Sequence, residues 1–276
     1  MLTQIAQAVA LTNWGNSVLR RKLDIKAEKF WPEGSVFKTC KDVRFTDMAA
    51  ATAKDGPKDY APDPLAWFKI IGEQQGQLLR LHYRPSDKPE MSDRIASGLG
   101  QGGRWFIEVV KVLASDYWEA QWEKVESRDE RVWRVSYRRV SANETVRPIP
   151  FRSSLEEINS RLEKKLAEIA AFADAHKQEK FAETFRKGQK ILAESKAPLE
   201  GVPHPDIMYG PHFSLKAQRA LAAIQAAWVF GGKGTWNDIR LDDGKDHDTY
   251  EKLSDELYLS FCKAIVYAVN SGFTKE

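Results

Sequence analysis

The sequence predicts an α+β protein: an N-terminal helix, an antiparallel β-meander of about five or six strands, and a C-terminal group of four helices. Three observations carry this. Apolar residues recur at helical spacing near the start and again after Ser154, while between Leu65 and Val146 the period falls to two. The strand-like runs there are joined by connections too short for anything but antiparallel neighbours. Strands and helices are segregated along the chain, not alternating, which is the α+β pattern. The division falls near position 150: 1–150 is the N-terminal helix plus sheet, and 151–276 is a helical part expected to pack on it as one compact unit.

Each element has its own justification. Ile5, Val9, Trp14, Val18 and Leu19 mark a helix over Leu2–Lys26, with Arg20, Arg21 and Lys22 suiting its C-terminal dipole and Gly15 a weak point. Phe30–Gly34 reads as a turn, Val36–Phe45 as a strand, and Thr52–Pro64 as a surface loop. Trp67–Ile71 and Leu78–Tyr83 flank Gly72–Gln77 in the manner of a hairpin. Beyond a polar loop over Pro85–Gly103 come the runs Arg104–Leu113, Asp116–Val125 and Arg131–Ser141. In the middle run Trp118, Ala120 and Trp122 point one way and Glu119, Gln121 and Glu123 the other, so one face is packed and one wet.

Pro148-Ile149-Pro150 closes the sheet region. Ser153 with Glu156, or Ser154 with Glu157, then offers a capping box for a stripe of Leu155, Ile158, Leu162, Leu166, Ile169 and Phe172. A second helix is predicted over Lys177–Glu194, with Phe181, Phe185, Ile191 and Leu192 on one side. After a proline-dense loop, Ser214 caps a third, and Gly231 stands where a left-handed C-terminal residue would. Asp248 and Glu251 offer a capping pair for the last helix, with Gly272 as its stop.

Composition excludes several classes. An apolar fraction of 42% with 11% aromatics builds a core, so wholesale disorder is out. The net charge of +3, with acidic and basic residues interleaved, argues against nucleic acid. Two cysteines, Cys40 and Cys262, exclude a disulfide framework or a four-cysteine zinc site and read as buried thiols. No basic leader precedes an apolar run, and no stretch reaches the roughly 18–20 apolar residues of a membrane span, so a cytoplasmic location is expected. No cofactor is implied.

The motifs yield more shape than chemistry. Gly98-Leu99-Gly100-Gln101-Gly102-Gly103 has the letters of a dinucleotide loop but is followed by a strand, where that fingerprint requires a helix. Gly231-Gly232-Lys233-Gly234-Thr235 departs from the phosphate-binding pattern at Gly234 and Trp228 and follows a helix. It reads as a glycine-rich cap with Trp236 anchoring the turn and Asn237 or Asp238 bonding nearby amides. His204, Asp206, His212 and Asp242 lie on two loops that could converge on zinc or iron, but no H-x-x-x-H pair fixes two ligands on one face. Trp105, Trp118, Trp122, Trp133 and Tyr137 alternate as a sheet core requires, leaving Arg131, Arg134, Arg138 and Arg139 for a charged face; an RNA-stacking platform is the alternative.

The turn Val229-Phe230-Gly231-Gly232-Lys233-Gly234-Thr235-Trp236-Asn237-Asp238 resembles a V-F-G-G-M-G-S-W-N-D segment in a set of uncharacterised bacterial cytosolic proteins, where a helix follows near Tyr250. Lys233 and Thr235 depart from the Met and Ser of that pattern. The resemblance covers the last quarter of the chain and implies an accessory or immunity-type partner of a secreted toxin. It carries over no catalytic residue. The expectation is therefore a protein-binding module that blocks a toxin or effector, with Lys233, Trp236, Asn237, Asp238, Arg134 and Arg138 as candidate contacts. Two alternatives stand beside it: a metal-dependent hydrolase or other enzyme with a site between sheet and helices, and an RNA-binding protein using the Arg134 and Arg138 face. The partner's identity and the oligomeric state stay open.

Overall fold

The computed structural model describes residues 1–20, 30–52, 56–87, 90–100, 102–147, 152–194, 201–208, 213–241 and 244–273. Among them are α1 (Thr3–Leu19), β1 (Cys40–Thr52), β2 (Gly56–Ala61), α2 (Pro64–Glu73), β3 (Leu78–Arg84), α3 (Asp93–Ser97), β4 (Arg104–Val110), β5 (Ala114–Lys124) and β6 (Trp133–Thr145). Four helices follow, α4 (Leu155–Ala175), α5 (Glu179–Ala193), α6 (Leu215–Ala227) and α7 (Gly244–Asn270), with short 3-10 turns at Pro205–Met208, Trp236–Asp238 and Ser271–Phe273. The class is α+β, as predicted.

The sheet has the order β2-β1-β6-β5-β4-β3. Strands β3 to β6 form the expected meander, but β1 lies parallel to β6, so the sheet is mixed and not antiparallel throughout. Short connections dictate direction only between consecutive strands, and β1 and β6 are separated by most of the N-terminal half. The loop expected at Thr52–Pro64 contains β2, the antiparallel partner of β1, and the strand expected from Val36 begins at Cys40.

A second correction concerns Trp67–Ile71, which is helical. Asp63 caps the segment by accepting from the Ala66 amide at 2.8 Å, and Pro64 occupies the first turn, where its missing N–H costs nothing. Trp67, Phe68 and Ile71 then fall on one buried side, a pattern that a short apolar run shares with a strand. Helix α3 likewise replaces part of the polar loop expected over Pro85–Gly103. Helices therefore interrupt the strands, and the segregation read from the sequence is incomplete. Pro148-Ile149-Pro150 lies outside the described residues.

The core face of the sheet is set by alternation. Val43 and Phe45 on β1, Val135 and Tyr137 on β6, Trp118 on β5, Ile107 and Val109 on β4, and Leu79 and Leu81 on β3 are all buried. Trp67 of α2 stacks on Phe45 at 4.5 Å between ring centroids and meets Trp118 edge-on at 5.5 Å, while Phe45 stacks on Tyr137 at 5.3 Å. Helix α1 runs unbroken through Gly15 because it presses on β3 there: a Cβ at Gly15 would lie 2.2 Å from Leu79 Cδ1. Buried apolar residues from α1, the sheet and all four C-terminal helices form one cluster.

In the helical part the capping box is Ser154 with Glu157, and the predicted stripe of α4 is buried at Ile158, Leu162, Leu166 and Ile169. Alanine-rich α6 is covered on nearly every side, and Gly188 of α5 lets it approach: a Cβ there would be 2.6 Å from that of Ala227. Helix α7 begins at Gly244, earlier than the cap expected at Asp248. Gly231 has ordinary backbone, and the left-handed residue of the turn is Gly234 at φ +84°. Among the described residues no helix is long and apolar enough to cross a membrane.

Strand β3 ends the sheet, yet Leu79 and Leu81 are buried, so water does not reach their outward amides and carbonyls. Two asparagines serve instead. Asn16 of α1 accepts from Leu79 N at 2.7 Å and donates to Leu79 O at 2.8 Å. Asn270 of α7 does the same for Leu81, at 2.9 and 2.8 Å. Replacing either by Leu leaves a buried donor and acceptor unpaired, and chemical denaturation should show a loss of about 3 kcal/mol for each variant.

Candidate interaction surface

The W-N-D turn, expected to make contacts, has its tryptophan inside. Trp236 is fully buried, its indole N–H donates to Ser254 Oγ at 2.7 Å, and its ring meets Phe181 and Phe185 edge-on at 5.1 and 5.2 Å. The Tyr250 hydroxyl donates to Trp236 O, and Asp238 accepts from Gly234 N. Of the expected contact residues in this turn, Lys233 and Asp238 are exposed and Asn237 is half-buried.

Asn237 belongs to a junction that the sequence reading missed. Arg94, on α3, is fully buried at the side chain and donates from Nη1 to Asn237 Oδ1 at 2.8 Å, from Nη2 to Glu251 at 2.6 Å and from Nε to Asp255 at 2.9 Å. Asn237 Nδ2 in turn donates to Gly231 O at 3.2 Å and Arg94 O at 3.4 Å. Gly98 is required because a Cβ there would stand 2.3 Å from Gly231 O. Burial disfavours the charged guanidinium, but the bond it donates to Asp255 and the charge of Glu251 outweigh it and raise the Arg94 pKa. The carboxylates one turn apart on α7 were the available signal for a cation between them. An Arg94→Met variant should lose about 3 kcal/mol in a urea titration, because two carboxylates and an amide lose their partner together.

His204 and Asp206 do come together, on Ser35. The Ser35 amide donates to Asp206 Oδ2 at 2.7 Å, its hydroxyl donates to Asp206 Oδ1, and His204 Nδ1 lies 2.9 Å from Ser35 Oγ. Here the hydroxyl stands between carboxylate and imidazole, whereas a nucleophilic triad needs the imidazole in the middle to take the proton. Burial lowers the His204 pKa and favours the neutral ring. The cluster ties two loops together, with Gln225 bonded to both backbone groups of His204 at 2.8 and 3.3 Å. His212 and Asp242 lie outside the described residues, and among the described residues no three His, Cys, Asp or Glu side chains group to hold a metal ion. The cysteines are free and buried, with the Cys40 thiol pushed up to about 11 by burial.

The second glycine loop leads from α3 into β4, with no helix start to receive a phosphate. Gly102 O accepts from Tyr258 at 3.0 Å, and a Cβ on Gly103 would meet the Tyr83 ring.

The open face of the sheet carries the other candidates. Arg134 reaches Asp42 at 3.2 Å and Glu123 at 3.8 Å, and Arg138 stands opposite Glu119. Arg104 bonds Glu119 through two nitrogens at 2.8 and 2.6 Å and lies 4.7 Å above the Phe106 ring. Trp118 belongs to the core, and Trp105, Trp122 and Trp133 pack against it, so the tryptophans are not a stacking platform on this side.

Farther along this face Glu108 is only 1% exposed at its side chain. It accepts from His82 Nε2 at 2.8 Å, Ser115 Oγ at 2.6 Å and the Tyr117 hydroxyl at 3.3 Å, with Arg80 at 3.7 Å. Burial pushes the Glu108 carboxyl up, but the bonds from His82 and Ser115 and the charges of His82 and Arg80 hold it below its ordinary value. A carboxyl lower in the folded state stabilises fully above its unfolded value, about 4.3, and that stabilisation is lost as pH falls through the folded value. Glu108→Gln should therefore cost about 2 kcal/mol at neutral pH. Its stability should also decline less than the parent's on acidification, as thermal melts across the acid range would show.

The β4–β5 hairpin projects from the edge of this face. Its tip exposes Val112 at 59% and Leu113 at 86%. Lys111 N donates to Ala114 O at 2.8 Å, and Lys111 Nζ reaches Asp116 at 2.6 Å. Asp116 is buried and also holds Arg139 at 3.3 Å and the Asn143 amide at 3.0 Å, so the tip stands on a rigid base.

These features define an α+β protein in which, among the described residues, helices cover one face of the sheet and the other is left largely open. No protein family, curated protein or solved structure compared with the chain matches it.

Proposed function

We propose that the chain is a protein-binding module that docks a partner across the open sheet face, with Val112 and Leu113 as its apolar anchor. The observation behind this reading is the hairpin tip. Two aliphatic side chains are held out on a braced turn, so little conformational freedom is lost when a partner covers them. Away from the tip, toward the other end of β5, the face presents arginines already paired with carboxylates, polar groups able to exchange their pairs for a partner's. The resemblance at Val229–Asp238 supports a toxin or effector as that partner and a bacterial cytosolic setting, with this chain as the inhibitor. The contact residues are then Arg134 and Arg138 with Leu113; Trp236 shapes the fold behind them.

The test is affinity capture from a lysate of the source organism, comparing the parent chain with Leu113→Asp, Arg138→Glu and a control, Lys187→Glu, on exposed α5. A protein retained by parent and control, but weakened about tenfold or more by the first two variants, supports the reading. A captured protein indifferent to both, or none at all, overturns it.

A further inference from the structure

Helices α4 and α7 leave a groove between them of about 350 Å3, lined by Ile158, Arg161, Leu162, Lys164, Lys165 and Glu168 on one side and by Ser260 and Lys263 on the other. Several cations elsewhere in the protein are matched. Arg94, Arg104, Arg134, Arg139 and Lys111 each meet a carboxylate. In the groove only Lys165 is matched, by Glu168 and Glu256, each at 2.7 Å.

Among the described residues, Arg161, Lys164 and Lys263 have no carboxylate within ion-pair distance; Lys263 instead lies 5.8 Å from the Tyr267 ring. Arg161 and Lys164 are one turn apart on α4, and like charges at that spacing oppose helix formation by a few tenths of a kcal/mol. Lys263 faces the groove from the other helix and adds to the positive field. Leu259, 44% exposed and one turn before Lys263, adds an apolar rim.

We propose that this groove binds an acidic amphipathic segment of a second protein, laid between α4 and α7 as an added helix. Its carboxylates would meet Arg161, Lys164 and Lys263, and its aliphatic side chains would contact Leu259, the floor at Ile158 and Leu162, and the lysine stems. Charge complementarity selects this occupant. A basic or neutral segment would leave the three cations facing like charge or none, and a third helix suits a channel already bounded by two. This surface is separate from the hairpin tip, so either can fail without the other.

The probe is a fluorescein-labelled peptide with Glu on one helical face and Leu at i, i+4 positions on the other, followed by fluorescence anisotropy at low salt. The full chain should bind it, and Arg161→Glu with Lys263→Glu should weaken binding about tenfold or more, as should raised salt. Leu113→Asp should leave peptide binding unchanged. Both groove substitutions are at exposed positions, and a circular dichroism spectrum matching the parent's would confirm an intact fold. Absence of binding, or binding unaffected by the double charge reversal, overturns the proposal. So does single-stranded RNA binding equally well with the same dependence on Arg161 and Lys263, since the groove would then be a polyanion site.

Discussion

The architecture depends on how the last strand of the sheet is finished. Strand β3 is an edge by topology but lies inside the protein, so the polar backbone of Leu79 and Leu81 needs partners that neither water nor a seventh strand supplies. The amides of Asn16 and Asn270 reproduce the donor and acceptor spacing of a neighbouring strand at two alternate residues. This brings the first and last helices of the described fold to one edge. It also blocks strand addition at that edge.

A second constraint ties the rest to that edge. Helix α7 brings Asn270 to β3 at one end and presents Glu251 and Asp255 to Arg94 nearer the other. A desolvated guanidinium with those two carboxylates fixes how α7 lies against α3, and Asn237 carries the same restraint into the glycine turn. Trp236 then fills the space between α5 and α7. The glycines and the tryptophan that draw attention in the sequence are consequences of this crossing. Gly98 admits a carbonyl and Gly234 supplies a left-handed residue, while the tryptophan is held by Ser254 from below.

The α+β class, the meander from β3 to β6, the alternation in β5 and most of the C-terminal helices were legible in the sequence, because each rests on periodicity or capping within one segment. Parallel β1, helical Trp67–Ile71 and buried Arg94 were not. Parallel pairing joins residues far apart in sequence, with no local signature. Trp67 and Phe68 suit helix or strand equally, so Asp63 and Pro64 decide. Arg94 lies in a stretch polar enough to read as loop, and its charge is matched by carboxylates on the last helix. The Ser35 cluster was missed for the same reason: His204 and Asp206 were visible as a pair, but their partner is near the start of the chain. Leu113 was counted at the end of a strand, where alternation places an apolar residue without fixing whether it is covered.

The charges separate structural from surface roles. At Glu108 and at Asp116 carboxylates are sunk among several donors, so each is bound to its place and is poorly suited to exchange partners. Arg104 and Arg134 have half-exposed pairs, where solvent screens the attraction and a partner's carboxylate could replace the native one at little cost. Among the described residues, Arg161, Lys164 and Lys263 have no carboxylate pair to exchange. The protein thus runs from locked to exchangeable to unmatched charge, and only the last two kinds can contribute net attraction to an incoming surface. On that ordering the open sheet face would supply specificity of register to the proposed partner. The α4–α7 groove would supply the long-range pull toward the acidic partner proposed for it, and the two surfaces need not serve the same one.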